Sequence, residues 1–147
     1  MEKTKIIMTL ITVGLIALVV IVSLTGGPSG GATIDDVTFE DGVVNIYYFW
    51  REGCPNCDAQ FEFFERIDAE WGAYFTVYAF EVVYNVDNAR LLSDVAELLD
   101  TNVGGVPFTI IGERVFTGFN ARMEDDFIAA IRDGVAQDFD AFRDLVE

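Results

Sequence analysis

The sequence predicts an α/β domain, with a mixed central sheet and flanking helices, behind a single N-terminal transmembrane helix. Three observations support this prediction. A run with no charged residue, Ile6 to Leu24, stands near the start of the chain. Strand-like and helix-like segments alternate after residue 43, which is typical of a sheet covered by helices. The chain's two cysteines stand where the first of these strands gives way to a helix.

The apolar run is long enough to cross a bilayer. Ile6–Leu24 comprises 19 residues, and a helix of that length spans roughly 28 Å, close to the thickness of the hydrocarbon core. Lys3 and Lys5 precede the run, so the positive-inside rule places residues 1–5 in the cytoplasm. We therefore predict a cytoplasmic stub over 1–5, a transmembrane signal anchor over 6–25, and a catalytic domain outside the cytoplasm.

A glycine-rich segment separates the predicted anchor from the folded domain. Residues 26–42 are predicted to form a flexible tether, with a possible edge strand over 33–40, and residues 43–147 to form the globular domain. A cleaved signal peptide is the alternative to an anchor, because Gly30 and Ala32 fit a small-x-small cleavage site. The length of the apolar run favours the anchor. Both interpretations predict an exported domain.

The first half of the domain reads as strand, helix, strand, helix. Val43–Trp50 is β-branched and aromatic, as in a central strand covered on both faces, and Phe75–Val83 resembles it. Pro55–Glu70 is predicted as a helix, and Asn88 is predicted to cap a second one from Ala89 to about Leu99. The predicted inward stripe of the first helix is Cys57, Phe61, Phe64 and Trp71. That of the second is Leu91, Leu92, Val95, Leu98 and Leu99.

The second half reads as a hairpin followed by a helix. Strands are predicted over Phe108–Ile111 and Arg114–Thr117, joined by a two-residue turn at Gly112-Glu113. Asn120 is predicted to cap a helix over about 121–132. The end of the chain is predicted to add a short amphipathic helix, with the apolar residues Phe139, Phe142 and Val146.

The charge of the chain argues against some partners. It carries 9 basic and 25 acidic residues and no histidine, for a net charge of −16. Such a field repels nucleic acid and anionic lipid headgroups. We predict no nucleic-acid partner, and we read the acidic surface as one that keeps the domain soluble.

The cysteines are spaced as Cys54-Pro55-Asn56-Cys57 at the predicted start of a helix. Unpaired N–H groups and the helix dipole stabilise a thiolate there, and Pro55 costs no hydrogen bond in the first turn. We predict that Cys54 is exposed and attacks a substrate disulfide. Cys57, one turn later, is predicted to be shielded and to resolve the mixed disulfide.

Other roles for the two cysteines fit the sequence less well. A zinc site normally needs two more Cys or His ligands, and the chain has none. A purely structural disulfide would close a very short loop and constrain the unfolded chain little. Two inert buried cysteines would not explain the position at a strand-to-helix junction. The spacing favours a redox pair, which needs no metal and no organic cofactor because the cysteines carry the electrons.

These residues resemble the thioredoxin superfamily over about 43–132. The resemblance is carried by the aromatic strand and turn before CPNC (48–53), by Val106-Pro107 after two glycines, and by Gly118 after the last strand. It implies a thioredoxin fold in which a cis Pro107 faces the cysteines. It also implies that backbone groups of Val106 pair with a bound substrate peptide.

The resemblance further implies a membrane-anchored, Dsb-type thiol-disulfide oxidoreductase. Pro55 and Asn56, between the cysteines, are then expected to contact the substrate. The implied partners are exported proteins that contain cysteines, and a redox partner that resets the disulfide. The alternatives are a membrane-tethered binding module or chaperone with little redox turnover, and, with less support, a thiol-based copper carrier.

Two departures from the family concern proton transfer. Asn56 stands where many strong oxidants have a histidine, and Tyr48 stands where thioredoxin has a buried aspartate. The family's usual proton acceptor for Cys57 is therefore missing. Glu81, in the second strand, and Glu52 are the candidate replacements.

Overall fold

The computed structural model describes residues 31–137 and 139–143 of the chain. The predicted stub and anchor (1–25) and the first part of the predicted tether (26–30) lie outside these residues. Within the described part of the chain, no helix has both the length and the apolar character needed to cross a membrane.

The described chain alternates strands and helices in the predicted order. The strands are β1 (Val44–Trp50), β2 (Phe75–Glu81), β3 (Phe108–Ile111) and β4 (Arg114–Thr117). The helices are α1 (Pro55–Trp71), α2 (Val86–Leu98) and α3 (Glu124–Gln137), with short 3-10 turns at Ile34–Asp36 and Ala121–Met123.

The four strands form one mixed sheet in the order β2-β1-β3-β4. β1 and β2 are parallel, whereas β3 is antiparallel to both of its neighbours. The carboxyl ends of β1 and β2 therefore meet the start of β3 at one edge of the sheet. The mixed sheet and flanking helices are those of a thioredoxin-like fold, as the sequence resemblance implied.

The sheet separates two layers of core, because successive side chains of a strand point to opposite faces. Ile46 and Tyr48 of β1 face the side covered by α1 and α3, where the buried set includes Phe63, Phe64, Phe127 and Ile131. Tyr47 and Phe49 face the side covered by α2 and the end of the chain, with Leu92, Val95, Phe108 and Phe142. The continuous hydrophobicity of β1 is explained by this two-sided burial.

The predicted start of α2 was wrong by one turn. Asn85, not Asn88, is the N-cap: its side-chain oxygen accepts hydrogen bonds from the N–H groups of Asp87 and Asn88. Asn88 lies inside the helix, where it is buried and donates to the carbonyl of Ala32. Leu98, predicted to face inward, is 54% exposed.

The segment before β1 does not form the possible edge strand over 33–40. It makes the 3-10 turn Ile34–Asp36, in which the Asp36 carboxylate accepts hydrogen bonds from the backbone N–H and hydroxyl of Thr33. That local bonding competes with strand pairing. At the outer edge of β2, Ala32 N–H donates to Ala79 C=O.

The hairpin and α3 lie close to their predicted positions. Gly112 opens the β3–β4 turn with φ +55°, a conformation that glycine adopts at little cost. Asn120 caps the 3-10 turn that leads into α3, and α3 continues to Gln137 instead of ending near residue 132. In the predicted C-terminal helix, Phe142 is buried and Phe139 exposed, while 144–147 lie outside the described residues.

Candidate redox site

Cys54 and Cys57 form a disulfide at the junction of β1 and α1. Cys54 is the N-cap of α1, and Cys57 lies in its first turn behind Pro55. Cys54 is only 5% exposed, so the prediction that it is exposed was wrong. Cys57 is still less accessible, at 1%. Cys54 is thus the more accessible residue of the pair.

Backbone donors converge on Cys54. The Cys57 N–H donates to Cys54 Sγ at 3.2 Å, and the N–H groups of Cys57 and Asp58 donate to the Cys54 carbonyl. Cysteine here takes the N-cap role that serine or aspartate plays in other helices. When the disulfide opens, the same N–H and the positive end of α1 favour a thiolate on Cys54.

The Val106-Pro107 peptide bond is cis, as the resemblance implied, and it faces the disulfide. The carbonyl oxygen of Val106 lies 3.8 Å from Cys54 Sγ. Pro107 C=O accepts a 2.7 Å hydrogen bond from Gly118 N–H, which fixes the loop to the end of β4. Gly118 has φ +75°, so the glycine predicted here from the resemblance occupies a conformation that other residues rarely adopt.

Tyr48 lies beneath the disulfide and is a hydrogen-bond donor. Its hydroxyl donates to the Cys57 carbonyl at 2.8 Å, and its ring packs edge-on against Phe64. Burial, together with the nearby charge of Asp58, raises the pKa of Tyr48 far above its usual value. Tyr48 therefore stays protonated at neutral pH and does not replace the carboxylate base of the family.

Glu81 is committed to a different task from the predicted proton relay. Its carboxylate accepts hydrogen bonds from the N–H groups of Val83, Tyr84 and Asn85, at 2.9, 2.7 and 3.2 Å. These are donors of the turn between β2 and α2, which no strand partner satisfies. Glu52 lies exposed in the turn before Cys54. The hydrogen bonds described for Glu81 do not include Cys57, and the relay stays a prediction.

Sequence reasoning missed a buried polar pair close to Cys57. Gln60 of α1 is completely buried and its side-chain nitrogen donates to the Thr109 hydroxyl of β3 at 2.6 Å. Of the predicted stripe, Cys57 and Phe64 are buried, but the buried face also includes Gln60, Phe63 and Ile67 in place of Phe61 and Trp71. The three-residue step from Cys57 was the available signal, and it was overlooked because glutamine is rarely buried.

Three exposed apolar residues beside the site were also missed. Val83, Tyr84 and Val86 are 55%, 79% and 67% exposed. They follow β2, and Val82 N–H donates to Trp50 C=O, which ties this turn to the end of β1 just before the cysteines.

No group of three or more His, Cys, Asp or Glu side chains within the described residues is arranged to hold a metal ion. The arrangement that these residues do build is a buried disulfide with a helix N-terminus behind it and a cis-proline loop opposite.

Comparison with known proteins gives solved structures only. No protein-family model matches the chain, and no curated protein does. The solved structures include a protein of Chlorobium tepidum described as a thiol:disulfide interchange protein DsbE. It is 19% identical, with a TM-score of 0.48, over 65% of this chain and 82% of that one.

Two further structures are similar to the chain. One is the glutaredoxin of Archaeoglobus fulgidus, 17% identical with a TM-score of 0.44, over 62% of this chain and 89% of that one. The other is a protein of Neisseria meningitidis described as a thioredoxin. It is 17% identical with a TM-score of 0.44, over 66% of this chain and 80% of that one. With similarity this low, the thioredoxin-like fold rests on the strand order, the disulfide and the cis-proline loop themselves.

Proposed function

We propose that the chain is a thiol-disulfide oxidoreductase that acts on protein substrates. One observation carries the proposal: the Cys54–Cys57 disulfide lies at the N-terminus of α1, directly opposite the cis Val106-Pro107 bond. A disulfide that served stability alone would gain little from closing so short a loop. It would also have no need of a helix N-terminus or of a facing loop.

The exchange follows from the accessibility of the two sulfurs. The Cys54 thiolate attacks a substrate disulfide, a mixed disulfide forms, and one substrate sulfur leaves with the electron pair. Cys57 then attacks Cys54 Sγ, which re-forms the Cys54–Cys57 bond and releases the second substrate sulfur as a thiolate. The Cys57 N–H, 3.2 Å from Cys54 Sγ, stabilises the Cys54 thiolate before it attacks.

The substrate peptide binds across the loop and the start of the helix. Val106 is half-buried and offers backbone groups beside Cys54, while Pro107 is buried beneath it and shapes the loop. Pro55 and Asn56 are exposed on the other side of Cys54. Together they would form a groove for an extended peptide that carries the reactive disulfide.

The proposed setting is the outer face of a membrane. The uncharged run over 6–24 supports an anchor, and the lysines before it support a cytoplasmic N-terminus. The substrates would then be exported proteins that contain cysteines, served by a redox partner that resets the disulfide. Protease digestion of intact cells or spheroplasts checks this: the domain should be cut from outside, and protection until the membrane is lysed would contradict it.

The decisive measurement is the equilibrium reduction potential of the Cys54–Cys57 couple, titrated against glutathione. A value near about −120 mV would identify a disulfide donor, and one near about −270 mV a reductant or a reductant-fed isomerase. Cys57→Ser should trap a mixed disulfide with substrate, and Cys54→Ser should not. A native pair that fails to exchange with glutathione would refute the proposal.

A binding module is the second candidate, and the exposed apolar residues favour it. Val83, Tyr84 and Val86 are exposed apolar residues in the segment that follows β2, and exposed apolar side chains suit an unfolded client. Its signature is client binding that survives in the Cys54→Ser/Cys57→Ser double variant. Loss of binding in that variant would leave the oxidoreductase as the sole interpretation of the two.

A further inference from the structure

The side-chain amide of Gln60 is completely buried, and its oxygen atom is unpaired within the described part of the chain. Its nitrogen donates to Thr109, which is itself fully buried and lies opposite Tyr48 in the β1–β3 pairing. Its oxygen, Oε1, has no hydrogen-bond partner among the described residues. An unsatisfied buried acceptor costs about 1–3 kcal/mol, and a leucine would fill the same space without that cost. Gln60 Oε1 is therefore expected to gain a hydrogen-bond donor in another state of the protein.

Gln60 lies one turn after Cys57, and both residues are on the buried face of α1. Helical side chains lean toward the N-terminus of their helix and cover the preceding turn, so this spacing directs the Gln60 side chain toward the turn that holds Cys57. Tyr48 does not compete for this role, because its hydroxyl already donates to the Cys57 carbonyl.

We propose that Gln60 Oε1 accepts a hydrogen bond from the Cys57 thiol, and that this bond exists only in the reduced protein. A substrate thiolate attacks Cys54 Sγ, the Cys54–Cys57 bond breaks, and its electron pair passes to Cys57 Sγ. That sulfur takes up a proton from the second substrate thiol, which then displaces Cys54 and closes the substrate disulfide. The new S–H group donates to Gln60, whereas the disulfide sulfur had no hydrogen to donate.

The bond makes Gln60 a positioning residue that favours the reduced state. It satisfies the orphaned oxygen only after reduction, so its removal should weaken the reduced form relative to the disulfide. We expect about a fivefold smaller equilibrium constant for reduction, which corresponds to a potential about 20 mV more negative at 29.6 mV per tenfold change. The inference rests on the proposed redox chemistry but not on the identity of any substrate.

The test uses the full chain and replaces the polar pair by apolar residues of similar shape. Gln60→Leu combined with Thr109→Val leaves no orphaned group, so the fold is expected to tolerate it. Gln137→Leu is the control, because it removes an exposed glutamine at the C-terminal end of α3. The equilibrium with dithiothreitol should shift about fivefold in the double variant and stay unchanged in the control.

Infrared spectroscopy gives a second readout that a structural role would not move. In a Cys54→Ala background, Cys57 supplies the one S–H stretching band, and loss of the acceptor should move that band to higher frequency. An unmoved band, an unchanged equilibrium or a shift toward the reduced form would each overturn the inference. If the wild type equilibrates with dithiothreitol as expected but exchanges with no protein disulfide, the proposed function fails and the inference on Gln60 stands.

Discussion

At the scale of single residues, the chain replaces a charged group beneath the redox pair by neutral ones. Tyr48 and Gln60 are buried below Cys57, and each makes a neutral hydrogen bond. Burying a carboxylate without a partner is costly, and a hydroxyl or amide is much cheaper to bury. The hydrogen bonds that these two side chains make are therefore bonds between neutral groups.

Glu81→Gln separates the two roles considered for that carboxylate. Because Glu81 accepts three backbone N–H bonds in the turn before α2, we expect the amide to weaken the turn and lower the free energy of unfolding by about 1–2 kcal/mol. The pH dependence of thiol-disulfide exchange should stay unchanged. Urea unfolding and a pH series of exchange rates measure the two effects, and Glu113→Gln, at an exposed position in the β3–β4 turn, is the matched surface control. A displaced pH profile would restore the proton-relay hypothesis.

The buried tyrosines predict a loss of stability at alkaline pH. Burial and the Asp140 carboxylate raise the pKa of Tyr47 far above 10.0, the ordinary value for tyrosine, and burial likewise raises that of Tyr48. Above pH 10 the unfolded chain releases these protons while the folded chain keeps them, so stability is full below that pH and falls as pH rises further.

Tyr47→Phe should reduce this alkaline loss, although it also removes the hydrogen bond to Asp140 and lowers stability at pH 7. Urea unfolding at pH 7 and pH 11 measures the difference between the two conditions. Tyr74→Phe, at a half-exposed position, is the control. An equal alkaline loss in wild type and Tyr47→Phe would contradict the assignment.

At the scale of elements, the sequence predicted the type and order of every strand and long helix. The strong signals were the apolar strands, the glycine at the hairpin turn and the CxxC motif at the start of α1. The helix cap was harder to predict. Asn85 and Asn88 are both good capping residues, and the sequence does not show which of them stands at the start of α2. Residues 33–40 look extended, but local hydrogen bonds to Asp36 give a 3-10 turn instead.

Asn85→Ala tests the observed cap of α2. The Asn85 side chain accepts bonds from two N–H groups at the helix start, so its removal should cost about 1 kcal/mol of stability. Asn102→Ala, at an exposed position outside helices and strands, should cost far less. Thermal and urea unfolding of the two variants measure this, and equal stability would show that Asn85 does not act as the cap.

At the scale of the whole molecule, the segment 139–143 closes the core on the side of the sheet away from α1. Phe142 is fully buried and stacks on Tyr47 at 3.6 Å between ring centroids. The Asp140 carboxylate accepts bonds from Tyr47 and Asn45. The sequence predicts Phe142 as an apolar residue of a helix but does not predict these contacts. Tyr47 and Phe142 are about 95 residues apart and meet only in the folded protein.

The net charge of −16 gives a prediction for the choice of substrate. An acidic protein attracts cationic partners and repels anionic ones. At 0.1 M salt, both effects are largely screened at distances beyond about 10 Å. Exchange with a short disulfide peptide flanked by lysines should therefore slow as salt rises, whereas exchange with the same peptide flanked by glutamates should accelerate. Stopped-flow rates between about 0.01 and 0.5 M salt measure both slopes. A serine-flanked peptide is the neutral control. Equal slopes for the two charged peptides would show that local contacts at the cysteines, and not the field of the whole molecule, set the encounter rate.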